Sequence, residues 1–171
     1  IGISNMFSAQ INNTIRTTQL IKKIDKNIPV IVGGPHITVK AAEFLQKVNT
    51  ADVAVTGEGE IAMLDLVKCY EKKADLKNVN GIVYRNNGKI ISNNKRDFIK
   101  DLDELPLPAY HLIDMESYLT LYKKIIYSRS RDEFRSLSMV TSRGCPYNCV
   151  FCSIHLHTGR AFRPHSAEYI I

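Results

Sequence analysis

Three short apolar runs constrain the fold of this chain more than any other feature. They lie at 1–4 (IGIS), 30–33 (VIVG) and 52–56 (DVAVT), and their apolar residues are consecutive rather than alternating with polar ones. Runs of that length and texture fit strands buried on both faces. Between the first two, Ile11, Ile15, Ile21 and Ile24 recur near helical spacing, as do Ala42, Leu45 and Val48 before the third. Ile61, Leu64, Val67 and Tyr70 form a further stripe after it. Strands and helices alternating through short loops predict parallel strands joined by right-handed crossovers.

In open parallel sheets, ligands bind beyond the carboxyl ends of the strands. The loops expected on that edge are Ser4-Asn5, Gly33-Gly34-Pro35-His36 and Thr56-Gly57-Glu58-Gly59-Glu60. The last two are rich in glycine, which permits close approach of a ligand to the backbone. The third also opens a helix, whose N-terminus favours an anion or its own glutamates. Plain strand-to-helix turns, with the glutamates capping the dipole, would use the same residues.

The texture changes after residue 75. Residues 81–85 and 89–92 flank Asn86-Asn87-Gly88, a strong hairpin signal. The acidic run 101–108 carries two prolines and reads as an extended linker. One helix is expected within 110–127 and a new strand at 137–141. The resulting organisation is an α/β domain over 1–75, a hairpin and linker over 76–136, and a second domain beginning at 137–171. The chain opens on Ile1 rather than Met and stops within the apolar run 169–171, so it reads as a piece of a longer protein.

Three of the four cysteines fall within eight residues, Cys145, Cys149 and Cys152, with spacing C-x3-C-x2-C. This is not a disulfide framework; in a cytoplasmic chain it points to metal or cluster binding. Three soft thiolates on one loop can grip three corners of a 4Fe–4S cube and leave the fourth iron open to a small molecule. Gly144 and Pro146 suit a tight loop around the first ligand. A structural zinc site built from the same cysteines and His155 or His157 is the competing arrangement. Cys69 stands within a helical stripe and reads as core filling.

Composition narrows the class. With 44% hydrophobic and 23% charged residues the chain is an ordinary globular one. No apolar run approaches the roughly 18 residues that span a membrane. The net charge of +6 comes from scattered lysines without interleaved aromatics, which argues for solubility rather than a nucleic-acid partner.

The segment S-R-G-C-P-Y-N-C-V-F-C, followed by R-P-H-S-A-E, resembles the signature loop of the radical S-adenosylmethionine enzymes. The stretches I-G-I-S, V-I-V-G-G-P-H, V-T-G-E-G-E, G-I-V-Y-R and D-L-D-E-L-P-L-P-A-Y resemble those members that carry a cobalamin-binding domain, among them methyltransferases and the anaerobic cyclase of chlorophyll precursors. The resemblance implies a partial flavodoxin-like (Rossmann-like) parallel sheet followed by the start of a partial (β/α) barrel. It implies a 4Fe–4S cluster on Cys145, Cys149 and Cys152, with S-adenosylmethionine on the open iron and Phe151 beside its adenine. It also implies cobalamin held by Ser4, Gly33, Gly34, Gly57, Glu58 and Gly59. His36 stands in one of those loops, but the Asp-x-His-x-x-Gly motif that supplies a lower cobalt ligand elsewhere is absent.

The expected activity is reductive cleavage of S-adenosylmethionine, serving cobalamin-dependent methyl transfer or radical cyclisation on a small-molecule or natural-product substrate. A flavodoxin or ferredoxin would supply the electron, and residues 1–171 alone would not turn over. A cobalamin- or metal-binding module with a structural zinc site is the alternative from a different class.

Overall fold

The computed structural model describes residues 1–126 and 138–171. Its contacts divide into two units: 1–100 together with 144–162, and 101–143 together with 163–171.

In the first unit, strands β1 (Gly2–Ser4), β2 (Ile31–Gly33) and β3 (Val53–Val55) are parallel and adjacent, with Gly2 opposite Ile31 and Ile31 opposite Val53. Helices α1 (Ile11–Ile24) and α2 (Pro35–Lys47) make the crossovers, and α3 (Gly59–Glu71) follows β3. The predicted hairpin, β4 (Ile82–Asn86) and β5 (Lys89–Ser92), does not stand apart in a linker. It adds two antiparallel strands beyond β3, giving the order β1-β2-β3-β4-β5. Its turn has Asn87 at φ +47° and Gly88 at φ +79°. Both are left-handed, as a two-residue hairpin turn that matches strand twist requires.

Both faces of the sheet are covered at β2 and β3, as the continuous runs predict, whereas β1 at the edge is largely exposed. Val32, Ala54 and Val83 pack against Ile37, Ala41, Phe44 and Leu45 of α2, with Ile11 and Ile15 of α1 at the margin. Ile31, Val53, Val55, Ile82 and Tyr84 face Ala62, Leu66 and Cys69 of α3. Cys69 is therefore core, and its Sγ donates to the Ala74 carbonyl at 3.2 Å. At the amino edge, the Asp52 carboxylate accepts from Lys22 Nζ and from the Val30 N–H, both at 2.7 Å. One side chain thereby joins the end of α1 to the starts of β2 and β3.

Three helical stripes differ from expectation. In α3 the buried face is Ala62, Leu66 and Cys69, whereas Ile61, Leu64, Val67 and Tyr70 are exposed. The helix is apolar on two sides, and the side with Leu66 between the small Ala62 and Cys69 packs on the sheet. In α1, Thr14 and Thr18 share the buried face with Ile21, while Ile24 at the last turn is exposed. Their hydroxyls are satisfied locally: Thr18 reaches the Ile15 carbonyl and Thr50, and Thr14 accepts from Asn5. Leu45 of α2 and Val48 directly after it are buried as expected, but Ala42 is exposed because the buried line runs Ile37, Ala41, Phe44.

The second unit contains α4 (Met115–Ile126), a short pair β6 (Ser142–Arg143) and β7 (Arg163–Pro164), and α6 (Ala167–Ile170). The predicted strand at 137–141 is displaced: residues 138–141 are not extended into a ladder, pairing begins at Ser142, and Leu137 lies outside the described residues. The His165 N–H donates to the Thr141 carbonyl at 2.9 Å. Asp103 caps α6 from a distance, accepting from the Ser166 N–H with both oxygens at 3.1 Å and pairing with His165 Nδ1 at 3.0 Å. The His165 ring stacks on Tyr169 with centroids 4.1 Å apart. Among the described residues no helix is long and apolar enough to cross a membrane.

Candidate functional site

Side-chain alternation along β1 and β2 builds a cleft before any ligand is considered. Gly2, Ser4, Ile31 and Gly33 point to the face that carries α3. Three of the four have little or no side chain, and α3 covers β3 and β4 rather than β1. The result is a cleft of about 370 Å³ lined by Gly2, Ser4, Gly33, Gly34, Gly57 and Gly59, with Val55 and Met63 as its apolar wall. A volume of that order suits a small-molecule site. Ser4, Gly33, Gly34, Gly57 and Gly59 were all expected at this edge, and the fold brings them together. Gly2 and Met63 were missed; the period-2 relation of Gly2 to Ser4 carries the signal for the first.

The glycines do different work. A β-carbon on Gly57 would meet nothing within 4 Å, and one on Gly33 would stand 3.8 Å from Val55. At those positions hydrogen leaves space that a ligand can use. Gly34 is different: its φ is +97°, and a β-carbon would stand 2.6 Å from the Asn5 carbonyl oxygen. Its glycine is required by the close packing of two loops, Asn5 N–H to Gly33 carbonyl at 2.8 Å being the bond beside it.

Glu58 is not among the residues lining the cleft. Its Oε2 accepts the Ile99 N–H at 2.8 Å. His36, in the first turn of α2, pairs through Nδ1 with Ser8 Oγ at 2.7 Å.

The cysteine loop belongs to the same unit. Cys145 and Cys152 are half-buried, Cys149 is exposed, and all three thiols are free. The Cys145 N–H donates to the Gly159 carbonyl at 3.2 Å, and the Cys152 N–H to the Cys149 carbonyl at 3.1 Å. Arg160 braces the loop by donating to Asn148 Oδ1 at 2.8 Å. A short helix, α5 (Ile154–Thr158), carries His155 and His157. Partial burial and then the neighbouring His155 hold His157 below the ordinary histidine range, which favours its neutral form.

Among the described residues no three His, Cys, Asp or Glu side chains are gathered closely enough to hold a metal ion. Neither the three-cysteine site nor the Cys3His alternative is drawn together. The donor set still suits an iron–sulfur cluster: three free cysteines, soft sulfur ligands, on one short loop. Phe151 is 90% exposed.

The family described as the B12 binding domain matches residues 1–67. An uncharacterized methyltransferase of Pyrococcus horikoshii is 34% identical over 171 residues, covering all of this chain and 35% of the relative. The anaerobic magnesium-protoporphyrin IX monomethyl ester cyclase of Rubrivivax gelatinosus is 31% identical over 144 residues, covering 81% of this chain and 24% of the cyclase. Among solved structures, OxsB, a cobalamin-dependent S-adenosylmethionine radical enzyme with aqua-cobalamin and S-adenosylmethionine bound, superposes with a TM-score of 0.75. It is 25% identical over 99% of this chain and 22% of its own. The chain thus spans about a third or less of the length of each of these proteins.

Proposed function

Taking as premise that this chain belongs to the radical S-adenosylmethionine enzymes with a cobalamin-binding domain, we propose that its glycine cleft holds cobalamin and that Cys145, Cys149 and Cys152 ligate a 4Fe–4S cluster. The observation that carries the reading is the side-chain-free floor made by Gly2, Gly33, Gly57 and Gly59, with the small Ser4 beside them, at the carboxyl edge of the parallel strands. A flat heteroaromatic group can lie there against backbone, with Val55 and Met63 as apolar cover.

When bound, the cluster supplies an electron and an open iron for S-adenosylmethionine, and cobalamin supplies cobalt-centred methyl or electron transfer. The chain's own residues do the holding. Gly33 and Gly57 leave room, Gly34 locks the first two loops together, and Ser4 offers a hydroxyl at the cleft. Cys145, Cys149 and Cys152 present thiolates, with Phe151 beside them as an apolar face for a nucleoside. The whole protein then performs methyl transfer or radical cyclisation on a small-molecule substrate, in the cytoplasm, with an electron supplied by a flavodoxin or ferredoxin.

Binding of hydroxocobalamin to the full-length protein tests the cleft. Gly33→Val, at a position where a side chain fits without backbone strain, should weaken binding roughly tenfold or more, equivalent to about 1.4 kcal/mol. The melting temperature and iron content should be unchanged. Wild-type affinity in that variant would remove cobalamin from the cleft.

A further inference from the structure

The cleft and the cysteine loop are connected inside the first unit. Glu58 sits between two glycines of the cleft, yet its carboxylate leaves it to accept the Ile99 N–H at 2.8 Å. The next residue back, Phe98, lays its ring against Gly159: a β-carbon at residue 159 would stand 2.7 Å from Phe98 Cε2. The Gly159 carbonyl in turn accepts the N–H of Cys145 at 3.2 Å. Each step is a contact between neighbours in space, and together they run from the third glycine loop to the first cysteine.

A second attachment lies at the other end of the cysteine loop. Ser153, directly after Cys152, and Leu156 of α5 line a cavity of about 340 Å³ with Pro35, His36 and Val39 of α2 and Phe7 of the first loop. Helix α2 begins immediately after Gly34. One end of the cysteine loop therefore rests on α2, which issues from the second glycine loop, and the other on Phe98, which Glu58 ties to the third.

We propose that Glu58 and Phe98 are positioning residues that couple occupancy of the glycine cleft to the set of the cysteine loop. Neither touches the cofactors. They fix the Gly59 end of the cleft and the Gly159–Cys145 bond relative to each other, so a ligand that stiffens one restrains the other. Such coupling is reciprocal: whatever a loaded cysteine loop does for cobalamin affinity, bound cobalamin does for the loop. This inference rests on the cofactor assignment above and extends it to residues outside both sites.

The test uses the full-length protein with hydroxocobalamin as probe, with and without anaerobic iron–sulfur reconstitution. In the wild type, reconstitution should tighten hydroxocobalamin binding about fivefold or more, the lower end of typical coupling between sites. Glu58→Ala and Phe98→Ala should bring that ratio to one. Glu58→Gln, which keeps an acceptor oxygen for the Ile99 N–H, should restore it. The rate at which a chelator strips iron from the reconstituted protein, with its cluster kept oxidised, gives a second readout. It should change on cobalamin addition in the wild type and Glu58→Gln, and stay fixed in the two alanine variants.

Equal ratios in all four proteins, or a ratio of one in the wild type, would overturn the coupling. Should Glu58→Ala fold poorly, Phe98→Ala decides the matter alone, since its side chain is partly exposed. A cluster-free wild type that binds no hydroxocobalamin at all overturns the cofactor assignment, and the coupling falls with it. Binding without coupling overturns the coupling only.

Discussion

The cleft and the cysteine loop are built by opposite means. Beneath the cleft, Val30, Val32, Val53 and Ala54 have no solvent exposure, and the backbone is tied into a five-stranded sheet. The cysteine loop has few backbone bonds, and Tyr147, Val150 and Phe151 are largely exposed. The first region obtains its shape from burial of its own side chains; the second has its chemistry in place without comparable cover. Preorganised glycine loops suit a cofactor held by shape. Three cysteines on a sparsely covered loop suit a cofactor held by bonds to its ligands.

Core truncation should separate the two regions most sharply. Leu66→Ala, at a fully buried position of α3, should cost about 2–5 kcal/mol. Val150→Ala should stay within about 0.5 kcal/mol, as for exposed positions generally. Chemical denaturation of both variants measures the contrast, and equal losses would mean that the loop is packed in solution.

Metal uptake should reverse the ranking. Replacing Cys145, Cys149 or Cys152 with Ala should abolish iron retention in the reconstituted full-length protein. Cys69→Ala should leave iron content unchanged and lower stability by about 1 kcal/mol through its lost bond and packing. Iron loss in the Cys69 variant equal to that in the others would defeat the three-ligand assignment.

Within the cleft, Gly34→Val and Gly33→Val sharpen the comparison between packing and binding. Gly34→Val should destabilise the sheet by at least about 1–3 kcal/mol, because a left-handed backbone is strained for valine and its β-carbon meets Asn5. Gly33→Val should leave the melt alone and act on cobalamin. Thermal melts on the pair, run beside the binding titration, show whether the two glycines divide as the geometry has them.

The smallest effect concerns Asp103. Hydrogen bonding from Ser166, and then His165, holds its carboxyl below the usual aspartate range. A group whose folded pKa is depressed contributes stability above its unfolded pKa and loses it as pH falls through the folded value. Acidification from pH 5 should therefore loosen the start of α6, and Asp103→Asn should flatten that part of the profile. Hydrogen exchange at the Ser166 and Tyr169 amides follows it, and an unchanged profile in Asp103→Asn would assign the acid sensitivity elsewhere.

Much of this was legible in the sequence for identifiable reasons. The runs at 30–33 and 52–56 are strands because continuous burial leaves no other short element that fits, the run at 1–4 joins them as a largely exposed edge strand, and Asn87-Gly88 is a hairpin because few residue pairs accept two left-handed positions. The buried face of α3 was not legible. Ile61, Leu64 and Val67 form as apolar a stripe as Ala62, Leu66 and Cys69, so periodicity alone does not choose between the two faces. Residues 138–141 of the expected strand do not pair: Met139 and Val140 are apolar yet exposed, and the partner strand at Arg163–Pro164 fixes where pairing starts. The cleft glycines were found as a set, but their division into space-giving Gly33 and loop-locking Gly34 needed the position of the Asn5 carbonyl. Glu58 was assigned to the cofactor on its place in the loop, while its side chain turns to Ile99.

The antiparallel direction of β4 has a practical consequence. Because Ile82 stands opposite Val55 and Asn86 lies at the far end of the strand, the Asn87–Gly88 turn is at the amino edge, away from the cleft. Exposed turns of this kind accept added sequence. A fluorescent reporter or purification tag spliced between Asn87 and Gly88 would thus ride on the same sheet as the cleft without entering it, giving a labelled protein in which ligand titrations can be followed from a fixed distance.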